Sequence, residues 1–325
     1  MHNENLEDVG TTESRDSVKD RYNRPILSLR ISLTNRCNLN CLYCHHDGML
    51  PSDDEMTVDE IYKILKIAKK LGIRKIRYSG GEPLLRMDIV QIIEKTASLD
   101  FDDISITTNG ILLGKYAEDL KDAGLKRVNV SFDSLNNEVY HRITSKNLLN
   151  YAKEGIIRAA EVGLNPVKIN MVIMNDINNN EIKDMFEFSK EHNLVLQLIE
   201  LIKSDSCEDN TFSDEHYFPL TPLEKDLEDI ADKTQVRKFM QNRKKFFIDD
   251  GEIEIVRPVD NTNFCQNCTR LRLTPEGKLK PCLLINDNLV DIVTPIRQGK
   301  SDIEIEKLFL DGINKRKPFH EKVEE

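Results

Sequence analysis

Six of the seven cysteines fall into two short sets, Cys37, Cys41 and Cys44 in CNLNCLYC and Cys265, Cys268 and Cys282 in FCQNCTRLRLTPEGKLKPCL. Three thiolates leave one position of a tetrahedral ion or of an iron–sulfur cube open, whereas a structural metal site is normally closed by four ligands. Open coordination points to chemistry, here between two metal centres. A zinc-stapled binding module is the competing reading: His45 or His46 would close the first set and another ligand the second. It accounts for the cysteines alone.

The elements that must carry these residues alternate. Apolar strand patterns near 26–33, 74–79, 103–107, 128–133, 166–173 and 194–200 are separated by helical patterns, which predicts a parallel sheet or barrel. One helix is marked by a capping box, Thr57 with Glu60, by an apolar face of Ile61, Ile64, Leu65, Ala68 and Leu71, and by Gly72 at its end. The strands are polar on one side. Arg30, Lys75, Arg77, Ser105, Thr107, Asn129, Ser131, Lys168 and Asn170 alternate with aliphatic residues, which a sheet covered by helices on both faces would not show. This pattern predicts a curved sheet with helices outside and a cationic hollow where Arg30, Lys75, Arg77 and Lys168 converge. Each of these side chains alone would be read as reaching water; their recurrence on successive strands points to a small, multiply charged anion. Neither G-x-x-x-x-G-K-[ST] nor G-x-G-x-x-G occurs, so side chains must hold any phosphate.

With 325 residues the chain can hold one large domain or a domain plus an appendage, burying roughly 75% of its unfolded surface. A net charge of −10 gives no general attraction to nucleic acid or anionic lipid. No apolar run reaches the roughly 18 residues of a membrane span, and no signal peptide is recognisable, so a cytoplasmic location is expected. There clustered cysteines serve as ligands more often than as disulfides. Residues 1–22 are expected to be a disordered acidic tail. Cys207, in SDSCEDN, receives no role, and the run Arg243, Lys244, Lys245 before Phe246 and Phe247 reads as a solvated strand end or a docking point for a partner.

CNLNCLYC fits the C-x3-C-x2-C signature of the radical S-adenosylmethionine (SAM) enzymes, and Ser79-Gly80-Gly81-Glu82-Pro83 resembles their GGEP motif. From about residue 23 to near the end the chain resembles the branch of that family that cyclises GTP at the first step of molybdenum cofactor biosynthesis. LRISLTNRCNLNCLYC, KIRYSGGEPLLR, TTNG, VNVSFDS and the C-x2-C-x13-C string with Arg270 and Arg272 carry the resemblance. It implies an α/β fold: a partial (β/α)6 TIM-like barrel over 23–235 and a smaller C-terminal α+β region over 236–325 with a second cluster. It implies two [4Fe-4S] clusters, one on Cys37, Cys41 and Cys44 and one on Cys265, Cys268 and Cys282. SAM would be contacted by Tyr43, Gly81, Ser131 and Ile202. GTP would be contacted by Arg30, Lys75, Arg77, Thr107, Lys168, Arg270, Leu271 and Arg272, with Arg270 and Arg272 beside the second cluster in a catalytic role. The glycines at 80 and 81 would let bare backbone approach the methionine moiety.

The chemistry so implied is reductive cleavage of SAM to a 5′-deoxyadenosyl radical, removal of the ribose 3′ hydrogen of GTP, and closure onto guanine carbon 8 to give 3′,8-cyclo-7,8-dihydro-GTP. A ferredoxin- or flavodoxin-type electron donor, the next enzyme, cyclic pyranopterin monophosphate synthase, and a second copy of the chain are the implied partners. The sequence departs from the family pattern at His45-His46, at Gln197 where bacterial members place arginine, and at Ile202 where they place methionine. It ends in EKVEE without the bacterial Gly-Gly tail, which by the resemblance fits the archaeal branch. Within the family, a peptide-modifying enzyme with an auxiliary cluster is the alternative; Arg270 and Arg272 favour a nucleotide.

Overall fold

The computed structural model describes residues 17–45, 54–202, 211–258 and 262–318. Residues 1–16, His46, Cys207 and 319–325 lie outside them, and with these most of the expected acidic tail, one of the paired histidines, the unassigned cysteine and the chain end.

The predicted alternation is present. Strands β1 (Ser28–Ser32), β2 (Lys75–Ser79), β3 (Asp103–Thr108), β4 (Arg127–Ser131), β5 (Val167–Ile173) and β6 (Val195–Glu200) are parallel neighbours in that order. Between them run α1 (Val58–Lys70), α2 (Ile89–Ala97), α3 (Leu113–Asp122), α4 (Asn137–Thr144), α5 (Leu149–Glu161) and α6 (Ile182–Glu191). The α1 capping box forms in both directions: Glu60 N–H donates to Thr57 Oγ1 at 3.3 Å and Thr57 N–H donates to Glu60 Oε2 at 2.8 Å. Gly72 follows at φ +82°, a left-handed turn that glycine adopts without strain, and β2 starts three residues later.

Alternation sorts the strand faces as the sequence predicts. Leu29, Ile31, Ile76, Tyr78, Ile104, Ile106, Val128, Val130, Ile169 and Met171 are buried in one core with the inner faces of the helices. The polar residues take the concave side, and register aligns them into rows. Arg272, Arg30, Arg77, Ser105 and Arg127 are successive partners across the sheet, as are Ser131, Asn170, Gln197 and Glu254.

The C-terminal third continues the same sheet on both of its edges. After α7 (Thr211–Glu215) and α8 (Leu220–Ile230), β7 (Lys233–Arg237), β8 (Arg243–Ile248) and β9 (Gly251–Val256) form an antiparallel set whose last strand pairs in parallel with β6. Past α9 (Thr262–Gln266), β10 (Arg270–Leu273) pairs in parallel with β1, followed by β11 (Lys278–Lys280) and β12 (Val290–Asp291), then α10 (Val293–Arg297) and α11 (Asp302–Asn314). The sheet stays open, its order running from β12 to β7. The division expected at 235/236 falls inside β7.

Two expectations are corrected here. Residues 17–22 are anchored at two points, with Lys19, Arg21 and Tyr22 exposed: Val18 N–H bonds the Leu71 carbonyl at 3.1 Å, and Asp20 is buried. The basic run is not a solvated strand end. Arg243 is buried against Glu254 at 3.1 Å, Lys245 pairs with Glu252 at 2.5 Å, and Lys244 pairs with Glu224 and Glu228. Alternation inside β8 turns Arg243 and Lys245 toward the hollow, which sequence could not show while the strand's neighbours were unknown.

Candidate active site

Cys37, Cys41 and Cys44 lie on the loop that leaves β1, and the GGEP segment braces that loop from below. Gly81 N–H donates to the Thr34 carbonyl and Glu82 N–H to the Arg36 carbonyl, both at 2.7 Å. A Cβ on Gly81 would lie 2.3 Å from the Arg36 carbonyl oxygen, and one on Gly80 2.6 Å from that of Thr34. The glycines therefore serve the close approach of two backbones, GGEP and the cysteine loop. Glu82 is buried and accepts from Thr108 Oγ1 at 2.7 Å, Asn109 N–H at 2.7 Å and Leu84 N–H at 2.9 Å. Burial pushes its carboxyl up to about 7 against these donors. Asn109 also donates to Asn38 Oδ1 at 2.7 Å, so TTNG holds the loop as well.

On the other side, Tyr43 donates to Asp133 Oδ2 at 2.6 Å, while Asn40 and Leu42 bond the end of α4 through Thr144 and Ile143. The Cys41 thiol is raised by burial and then by Asp133, Cys44 and Cys37.

The second set has the opposite surroundings. Cys265 and Cys268 lie on and just after α9, and Cys282 follows β11. Burial works against ionisation of Cys268, but Arg316, Arg270 and Arg272 outweigh it and hold the thiol below its ordinary value. Among the described residues no three His, Cys, Asp or Glu side chains converge on a single-ion site.

One cavity of about 290 Å³ runs from the first cysteine loop to the second set, with Cys37, Cys41 and Cys44 themselves outside its wall. Tyr43 and His45 line it at the first loop, Cys265, Cys268 and Cys282 at the second, and Arg30, Arg77, Thr107, Arg270 and Arg272 between them. Ile202 and Gln197 are also in the wall, as are Asn170 and Arg243. Thr107 Oγ1, Asn170 Oδ1, Arg243 Nη2 and Arg272 Nη1 are buried there without a hydrogen-bond partner among the described residues. Buried polar atoms are rarely left so, and four around one cavity fit a polar ligand. The guanidiniums press on one another. Burial, then Arg127, Arg30 and Arg270, hold Arg77 well below its ordinary value, and Arg270 is lowered by burial, Arg243 and Arg30. An anion would relieve that repulsion.

The structure does not bring every expected residue to this cavity. Lys75 lies at the start of β2 beside a smaller hollow with Arg30, Arg77, Asp103, Arg127, Arg237 and Arg270. Lys168 is buried in an ion pair with Glu254 at 2.8 Å and is outside the cavity wall. Gly81 and Ser131 are not in the wall either, and Leu271 is a core residue. Glu254 was missed by the sequence reading. It also accepts from Gln197 at 2.5 Å and pairs with Arg237 at 3.2 Å and Arg243. Burial opposes its ionisation, yet Arg243, Lys168 and Arg237 hold it well below the carboxylate range. The alternation of GEIEIV carried the signal, but only the pairing of β9 with β6 turns Glu254 inward.

Residues 31–189 match the family model of the Radical SAM superfamily and residues 194–322 that of Molybdenum Cofactor Synthesis C. Solved structures share the fold: Streptococcus suis SuiB bound to precursor peptide SuiA has a TM-score of 0.65 at 17% identity, over 89% of this chain and 65% of that one. anSMEcpe with bound AdoMet has a TM-score of 0.56 at 17% identity, over 81% and 76%. The family match and these neighbours together define a radical SAM fold. Curated relatives are much closer in sequence: the probable GTP 3′,8-cyclase of Methanothermobacter marburgensis is 55% identical over 94% of this chain and 99% of its own length. That of Methanocaldococcus jannaschii is 48% identical over 93% and 99%. The chain belongs to the GTP 3′,8-cyclase family of the radical SAM superfamily. A [4Fe-4S] cluster and SAM come with that membership, and three thiols on one braced loop are a donor set that leaves one iron for SAM.

Proposed function

We propose that this protein cyclises GTP to 3′,8-cyclo-7,8-dihydro-GTP, the first step of molybdenum cofactor biosynthesis, and that Cys265, Cys268 and Cys282 hold a second [4Fe-4S] cluster. The observation that carries the reading is the single cavity running from the first cysteine loop past Arg30, Arg77, Arg270 and Arg272 to the second set. When bound, the first cluster and SAM supply a carbon-centred radical for the ribose 3′ hydrogen. The chain's own residues do the rest. Cys37, Cys41 and Cys44 hold the first cluster, and Tyr43 and Ile202, which face the cavity, would contact SAM, as would Gly81 and Ser131 by the resemblance. The arginines and Thr107 orient the nucleotide so that ribose and base stay in reacting geometry, and the enclosing wall excludes water.

Lys168, which the resemblance places at GTP, is held in an ion pair with Glu254. Locked to Glu254, it supports the floor beneath Gln197 and Arg243, and it reaches a phosphate only if Glu254 lets go. The likeness to SuiB at 17% identity concerns the fold and does not favour a peptide substrate. A ferredoxin- or flavodoxin-type donor and the next enzyme of the pathway remain the expected partners.

The test is anaerobic incubation of the reduced protein with SAM and GTP. Equal amounts of 5′-deoxyadenosine and the cyclic nucleotide by mass spectrometry are expected. Deoxyadenosine without any cyclised GTP, or a colourless zinc protein, would overturn the reading.

A further inference from the structure

We propose that Asp20, Arg24 and Arg316 form a buried clamp that positions the second cysteine set and makes its cluster easier to reduce. This rests on the reading that Cys265, Cys268 and Cys282 hold an iron–sulfur cluster. Arg24 Nη1 donates to the Cys265 carbonyl at 2.9 Å, and Arg316 Nη2 donates to the Cys268 carbonyl at 2.6 Å. The two guanidiniums share one carboxylate: Asp20 Oδ2 accepts from Arg24 Nε at 2.7 Å and from Arg316 Nη1 at 2.8 Å. Arg24 also bonds the Pro318 and Lys317 carbonyls at 3.0 and 2.7 Å. All three side chains are buried, at 6%, 8% and 4% exposure, and both arginines line the main cavity.

Three segments that are far apart in sequence, around residues 20–24, 265–268 and 316–318, are thus tied at the peptides of two cysteines. A guanidinium on a carbonyl fixes the orientation of that peptide and so of the neighbouring thiol. Charge adds to position. Two guanidiniums against one carboxylate leave a net positive charge in a buried place, and Arg270 and Arg272 add to it. A positive field stabilises the more negative, reduced state of a cluster and raises its potential. The first set has carboxylates for neighbours, Glu82 and Asp133, so the effect belongs to the second set alone.

The test is a potentiometric titration, followed by electron paramagnetic resonance, of anaerobically reconstituted protein without nucleotide, with iron counted in parallel. The wild type should hold about eight irons and show two signals. In Arg316→Met and Arg24→Met the second signal should move to more negative potential, or its four irons should be lost, while the first signal stays. Arg316→Lys, which keeps the charge, should return the potential toward that of the wild type. Two signals at unchanged potentials with full iron in both methionine variants would overturn the clamp. If the methionine variants do not fold, Arg24→Gln and Arg316→Gln decide, because they keep a polar side chain but lose the charge: a displaced or depleted second signal supports the clamp, and a wild-type spectrum overturns it. A wild type holding only about four irons would instead overturn the reading beneath it.

Discussion

Arg77 is half-buried beside Arg127, Arg30 and Arg270, which the carboxylate of Asp103 offsets only in part, so its charge is costly until an anion arrives. Arg77→Ala should weaken GTP binding roughly ten- to a hundredfold, the worth of a lost charge-assisted hydrogen bond, while SAM binding changes little. Its melting temperature should hold or rise, since a repulsive charge is gone; equal loss of both ligands in equilibrium binding would refute this. Glu254 is the converse case. Glu254→Gln leaves Lys168, Arg237 and Arg243 without their counter-charge, and breaking such a buried pair costs about 3–5 kcal/mol. Urea denaturation should show that loss, and a wild-type midpoint would refute the hub. Glu82 gives a pH signature. Its folded value of about 7 lies above the ordinary 4.5, so between these values the folded state binds more protons than the unfolded and stability falls as pH rises. The difference corresponds to about 3 kcal/mol. Thermal melts from pH 4.5 to 8 should slope more gently in Glu82→Gln than in the wild type.

At the scale of elements, the first cysteine loop is placed by its backbone neighbours. Gly81→Ala would drive a Cβ to 2.3 Å from the Arg36 carbonyl, and neither partner is the free end of a flexible side chain. The loop must shift. Iron from the first cluster should fall by about half of the total count while the second is retained; unchanged iron and unchanged SAM cleavage would show that the loop tolerates the shift. The glycines themselves were legible in the sequence, and so were the six strands and the α1 cap. Their reason was not, because GGEP and the cysteine loop are separated by the whole of α1 and meet only when β1 and β2 pair.

For the whole molecule, the consequence of an open sheet extended at both edges is that one chain end brings two separate sets of groups to the hollow. β9 delivers Glu254 beside β6, and β10 delivers Arg270 and Arg272 beside β1 with the second cysteines at its flank. On the proposed reading the two cysteine sets have separable duties. Cys282→Ala should leave SAM cleavage intact and abolish most cyclisation, measured as the ratio of 5′-deoxyadenosine to cyclic product; a ratio near one at normal rate would refute the division.

The sequence alone determined the two thiol triads, the parallel αβ alternation and the cationic side of the strands, because ligand spacing and side-chain alternation are properties of a few neighbouring residues. It determined Arg30, Arg77 and Thr107 as cavity residues for the same reason. Only the tertiary structure decided that Lys168 is consumed by Glu254, that Arg243 faces inward, and that Asp20, Arg24 and Arg316 grip the second cysteine set. Each of those depends on which distant segment supplies the opposing charge in a buried place, and a strand's own pattern carries no record of its neighbour.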